Sequence, residues 1–172
     1  MKKVLLALFM LGVTACSSFA QTGKSESGKF SIGVDAGIPV GNGSNVYNFA
    51  IGGSLKYDLP IATATYFTIS AGYESFMVKS ALKNSGLGFP SSSGFIPLKA
   101  GLKYYFNGEG FFGEAQLGAA FSTQSGGGTA FAYAPGIGYT FDGGFEAGVR
   151  YEAWSHNGTL SQVALRIAYC FQ

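Results

Sequence analysis

From Phe30 onward, apolar side chains recur at every second position. Phe30, Ile32, Val34, Ala36 and Ile38 alternate with Ser31, Gly33, Asp35 and Gly37. The same period returns in seven later runs: Phe49–Tyr57, Phe67–Tyr73, Ile96–Phe106, Phe111–Phe121, Phe131–Phe141, Phe145–Ala153 and Val163–Phe171. A period of two sends alternate side chains to opposite faces of a strand, whereas a helix brings apolar residues round every three or four. The pattern therefore predicts eight strands. Asn107–Gly110 and Asp142–Gly144 predict tight turns, and Asp58–Ala64 a short link. The other four connections, at 41–47, 77–93, 122–129 and 155–159, then fall at the opposite end. Pro97 and Pro135 each lack a ladder donor, which predicts a bulge or loose pairing inside two strands.

The two faces differ in kind. One carries Phe, Ile, Val, Leu, Ala and Tyr. The other carries Gly, Ser and Thr, together with Asp35, Lys56, Glu74, Lys99, Lys103, Glu114, Glu146, Arg150, Glu152 and Arg166. A soluble barrel hides its apolar face and exposes charge. Facing lipid reverses the arrangement, because a charge at the membrane midplane costs about 2–4 kcal/mol. Runs of about 9–11 residues also suit a tilted strand crossing a bilayer. Aromatics on the apolar face gather near the strand ends. Phe30, Tyr57, Tyr104, Phe111, Tyr139 and Tyr169 belong to one row, and Phe49, Tyr73, Phe121, Phe131 and Tyr151 to the other. Two rows with smaller residues between them match the paired interfacial belts of membrane barrels. The fold expected for residues 29–172 is all-β: an eight-stranded antiparallel up-and-down transmembrane β-barrel.

Composition agrees with this picture. Of the 172 residues, 47% are hydrophobic, 16% aromatic and only 12% charged, with 27 Gly. A disordered chain needs the reverse balance, and a nucleic-acid binder needs a basic stripe that is absent here. The N-terminus reads as a targeting segment: Lys2 and Lys3, an apolar run over Val4–Val13, then Ser18-Phe19-Ala20 before Gln21. Residues 1–20 are expected to be a signal peptide and 21–28 a short polar tail. Val13-Thr14-Ala15-Cys16 also fits a lipobox, so lipidation at Cys16 stands as the alternative to cleavage after Ala20. Without Lys2 and Lys3, nine basic residues face nine acidic ones, which removes any electrostatic case for an anionic partner. Cys170 is then left without a disulfide partner. It is expected to be a small space-filler.

Candidate chemistry is sparse. Eight strands enclose an interior that side chains can fill. Inward glycines at 33, 37, 52, 72, 101, 118, 136, 138 and 148 leave room for the long charged side chains. Buried charges of both signs must pair, so the ten are expected to form a closed network. The competing reading is a narrow small-solute channel or polar site among Glu114, Arg150, Glu152 and Arg166. No catalytic, cofactor or metal site is expected. No His/Cys cluster has metal spacing, and the Gly126–Gly128 run lacks the Lys-Ser/Thr of a phosphate cradle. His156, the single histidine, adjoins Ser155. Neighbouring residues in a strand point to opposite faces, so this His is poorly placed to activate that Ser.

Several segments resemble the small outer-membrane β-barrel family common among Bacteroidota. These are Ile96-Pro-Leu-Lys-Ala-Gly-Leu-Lys-Tyr-Tyr-Phe106, Tyr133-Ala-Pro-Gly-Ile-Gly-Tyr139 and Val149-Arg-Tyr-Glu152. The closing run Val163–Phe171 is similar to the C-terminal signal read by the outer-membrane assembly machinery, although Gln172 follows the final aromatic. The resemblance implies a monomer in the outer membrane of a Gram-negative bacterium, with lipid and the assembly machinery as partners. It implies no single activity. Ala153-Trp-Ser-His-Asn157 also resembles the His-x-Ser-Asn stretch of barrel lipid A deacylases, but Ala153 stands where the catalytic His would fall. The expected role is structural or interactive, with loop 77–93 as the surface that meets a partner.

Overall fold

The computed structural model describes residues 28–83, 90–107, 110–124 and 126–171. The expected signal peptide 1–20, nearly all of the expected tail 21–28 and the centre of loop 77–93 lie outside them. Eight strands follow in order: β1 Lys29–Val40, β2 Tyr47–Ala62, β3 Thr65–Val78, β4 Ser92–Tyr105, β5 Phe111–Ser122, β6 Thr129–Thr140, β7 Phe145–Ser155 and β8 Thr159–Phe171. Each pairs antiparallel with its sequence neighbour. β1 also pairs with β8, from Phe30 opposite Phe171 to Val40 opposite Ser161, which closes the barrel. Closure leaves no strand edge unpaired.

Both ends of the barrel chain lie beside the short turns. At this turn end β2 meets β3 through two residues, with Ala64 at φ 56°. The strands run longer than the alternating cores suggest. Asp58–Ala62 is the end of β2 rather than part of a link. Likewise, loop 77–93 contracts to 79–91, because β3 continues to Val78 and β4 begins at Ser92. One helical turn, Ser80–Lys83, lies within it.

Pro97 and Pro135 loosen pairing without shifting it. Between β3 and β4 the ladder breaks off after Ala71–Leu98 and resumes at Glu74–Phe95 in the same register. Between β6 and β7 it breaks after Tyr133–Ala153 and resumes at Gly136–Arg150. Each proline keeps its pairing on the other side, opposite Ala120 and Ala115 respectively. The register shifts occur elsewhere, between Pro60 and Ala62 and between Tyr47 and Phe49. At two positions where β4 meets β5, the backbone of the neighbouring strand leaves no room for a side chain. A Cβ at Gly118 would lie 2.0 Å from the Leu98 carbonyl oxygen, and one at Gly101 2.0 Å from that of Ala115.

Alternation settles the two surfaces. Along β8, Val163, Leu165, Ile167, Tyr169 and Phe171 are exposed, while Ala164, Arg166, Ala168 and Cys170 are buried. The same holds round the ring, so the outside is a continuous apolar band. A water-soluble monomer seldom exposes an apolar patch beyond a few hundred Å². This surface is shaped for hydrocarbon.

Candidate functional site

All ten charged residues singled out from the sequence point into the lumen, and an eleventh joins them. Asp58, left in a turn by the sequence pattern, is an inward residue of β2 and is buried. These eleven are six carboxylates and five cations; at the turn end Lys29 adds a further cation, its Nζ lying over the Tyr66 and Tyr105 rings. The eleven fall into two groups.

Nearer the turn end, Glu146 is the hub. Lys56 Nζ donates to its Oε1 at 2.8 Å and Arg166 Nη1 to the same oxygen at 3.2 Å, while Lys103 donates to Oε2. Lys103 also donates to Asp58 Oδ2 at 3.1 Å, and Lys56 to Glu114 Oε2 at 3.3 Å. Nearer the loop end, Glu152 is the hub. It accepts from Lys99 Nζ at 2.5 Å, Arg150 Nε at 2.7 Å and Trp154 Nε1 at 3.0 Å. Arg150 Nη1 reaches Asp35 Oδ1 at 2.7 Å. Ser54 joins the groups: its hydroxyl donates to Asp35 Oδ2 at 2.6 Å and accepts from Arg166 Nε at 3.0 Å. Such charge-assisted bonds are the strong ones, and in a low-dielectric interior they must be nearly complete.

Glu74 stands apart. Its Oε1 accepts from Gln162 Nε2 at 2.5 Å. Among the described residues no cation lies within ion-pair distance of it. An internal cavity of about 40 Å³ lies between the groups, walled in part by Asp35, Glu74, Lys99, Arg150 and Arg166. That is space for a few water molecules and no larger solute.

The lumen is not purely polar, which corrects the expectation of a face carrying only Gly, Ser, Thr and charge. At the loop end Phe76 packs against Trp154 at 5.2 Å, Tyr47 at 5.4 Å and Phe95 at 5.7 Å between ring centroids. Phe76 is wholly buried. At the turn end Tyr105 packs on Tyr66 and Phe112, both at 5.6 Å. Lys103 Nζ sits 4.1 Å from the Phe112 ring centre, so the lower charged group rests directly on this cluster. These inward rings alternate with outward ones, as Tyr105 does between Tyr104 and Phe106. Following strand parity to the rim would have revealed them.

Cys170 Sγ points inward, 3.9 Å from Glu146 Oε2. Ser155 Oγ lies 3.1 Å from Thr159 Oγ1, and the His156 ring rests against Gly128. Among the described residues, Ser155 and His156 share no side-chain hydrogen bond, and no group of His, Cys, Asp and Glu is placed to hold a metal.

No protein-family model matches the chain, and no curated protein matches it. Solved structures do. Ail, an outer membrane protein of Yersinia pestis solved in a phospholipid bilayer nanodisc, aligns with a TM-score of 0.60 at 17% identity, covering 84% of this chain and 100% of its own. The N-terminal β-barrel domain of Pseudomonas aeruginosa OprF aligns at 0.57 and 14% identity, covering 84% and 100%. The outer membrane enzyme PagL aligns at 0.60 and 16% identity, covering 81% and 98%. The likeness is one of fold: a closed eight-stranded antiparallel barrel of the kind outer-membrane proteins use.

Proposed function

We propose that this chain is an outer-membrane barrel of a Gram-negative bacterium that works through its surface and its structure. Neither passage nor chemistry through its lumen is part of this reading. The observation that carries it is the pairing of a continuous apolar exterior with an interior closed three times over, by two aromatic clusters and the ion-pair network between them. The barrel neighbours support the address. The kinship with Bacteroidota barrels rests on the segments 96–106, 133–139 and 149–152. In this orientation the short turns face the periplasm, and the connections around 41–46, 79–91, 123–128 and 156–158 face outward. The chain inserts as a monomer, with β8 as the strand offered to the assembly machinery.

Gel migration of the outer-membrane fraction with and without boiling tests the address. A closed ladder resists SDS until heated, so a shift on boiling is expected. Recovery of the protein as a soluble periplasmic species would overturn the reading. Passage is tested in planar bilayers. A silent bilayer is expected, whereas steady steps that disappear in a Glu114 or Arg150 variant would install the small-solute channel instead. Hydrolysis of lipid A abolished by His156→Ala would likewise replace this reading with an enzymatic one.

A further inference from the structure

The loop end carries a hollow that the lumen network does not use. Its volume is about 410 Å³, within the range of small-molecule sites. The floor is apolar, formed by Phe95, Ala130 and Leu160 with Trp154 among them. The rim is polar: Asn42, Ser122, His156 and Thr159. Among the described residues, no carboxylate, lysine or arginine lines it, although the charged lumen begins at Glu152, the hydrogen-bond partner of Trp154.

Glycine keeps this hollow open. A Cβ at Gly43 would come within 2.6 Å of Leu160 Cδ1, and one at Gly128 within 2.6 Å of His156 Nε2. Among the described residues, the Asn42 amide and the His156 imidazole have no hydrogen-bond partner. The other two rim groups are already engaged, Thr159 Oγ1 with Ser155 Oγ at 3.1 Å and Ser122 Oγ accepting from the Gln124 N–H at 3.3 Å. An apolar floor under a polar rim, with the amide and the imidazole unpaired, suits a ligand with the same division.

We infer that this hollow binds one ring of an uncharged saccharide. A pyranose presents a face of C–H bonds and an edge of hydroxyls. The face suits Phe95 and Leu160, and the hydroxyl edge suits an amide, an imidazole and two hydroxyls. An anion would find no lysine or arginine among the described lining residues. A hydrocarbon chain would desolvate the Asn42 amide and the His156 imidazole without giving them partners, which is unfavourable. This assignment rests on the surface role proposed above and gives that surface a ligand class.

The chain supplies its own reporters, because Trp154 and His156 are each the only residue of their type. The full barrel is refolded in a phosphocholine detergent, and its folded state is read from the shift on boiling. It is then titrated with glucose, galactose, mannose and N-acetylglucosamine into the millimolar range. A saturable change in Trp154 emission and in the His156 imidazole resonances is expected for at least one sugar. Asn42→Phe, which crowds the rim, should weaken that response at least tenfold while keeping the boiling shift. Should that variant not fold, Gly128→Ala, which presses a methyl group on the far end of His156, must weaken it instead. The inference falls if no sugar gives a saturable change, if the response survives both substitutions, or if only sulfated or carboxylated sugars or an aromatic peptide elicit it. A folded barrel that binds no sugar counts against this site alone. A chain with no heat-stable form counts against the barrel reading.

Discussion

The two halves of the lumen are built on one plan and balanced differently. Near the turns, three carboxylates (Asp58, Glu114, Glu146) meet three cations (Lys56, Lys103, Arg166). Near the loops, among the described residues, the cations Lys99 and Arg150 pair with Glu152 and Asp35, and a third carboxylate, Glu74, has no ion-pair partner. Glu74 is the carboxylate left over, and it is held by the amide of Gln162. The lower half also leans on Phe112 and Tyr105, whose rings face Lys103. The upper half is tied through Trp154 to the hollow at the mouth. One half is a charge-balanced plug. The other carries a carboxylate held only by an amide and shares Trp154 with the hollow.

Removing a hub should break the comparison most sharply in the lower half. Glu146→Gln strips the shared partner from three buried cations, and removing one member of a buried pair costs about 3–5 kcal/mol. Urea unfolding in lipid vesicles should show this as a large drop in midpoint. An unchanged midpoint would mean that water reaches the lower group and screens it. Glu152→Gln should cost less, about 1.5–3 kcal/mol, because Arg150 keeps Asp35 while Lys99 loses its carboxylate. It should also shift Trp154 emission, since the indole N–H donates to that carboxylate. Glu74→Gln should have the smallest effect, within about 0.5 kcal/mol of the parent or slightly stabilising, because it removes the surplus charge and leaves an amide facing Gln162. A loss as large as that of Glu152→Gln would show that Glu74 compensates Arg150 and Lys99 across the cavity, and the asymmetry between the halves would dissolve.

Much of the wall was legible because a strand's period is two and the environment on its two sides is opposite. Val163, Leu165 and Ile167 stand outside and Arg166 inside for that reason alone. What escaped lay at strand ends, where both faces carry aromatics and alternation blurs. Phe112 follows Phe111, Tyr105 lies between Tyr104 and Phe106, and Trp154 is the last residue but one of β7. Asp58 escaped likewise, because the alternating run ends at Tyr57 and Asp58–Ala64 reads as a link. The strand absorbs Pro60 next to a register shift.

By itself, then, the sequence determined eight strands, their facing, the pool of inward charges and an exterior that water will not cover. These follow from local alternation and from the high cost of a charge facing hydrocarbon. Only the tertiary structure decided which charges meet. Lys56 and Glu146 are 90 positions apart, and Arg150 and Asp35 are 115. It alone brought β4, β5, β6, β7, β8 and the connection after β1 together around one hollow at the mouth. Closing the ring at a particular register sets those distances, and no run of alternating residues in a single strand carries that information.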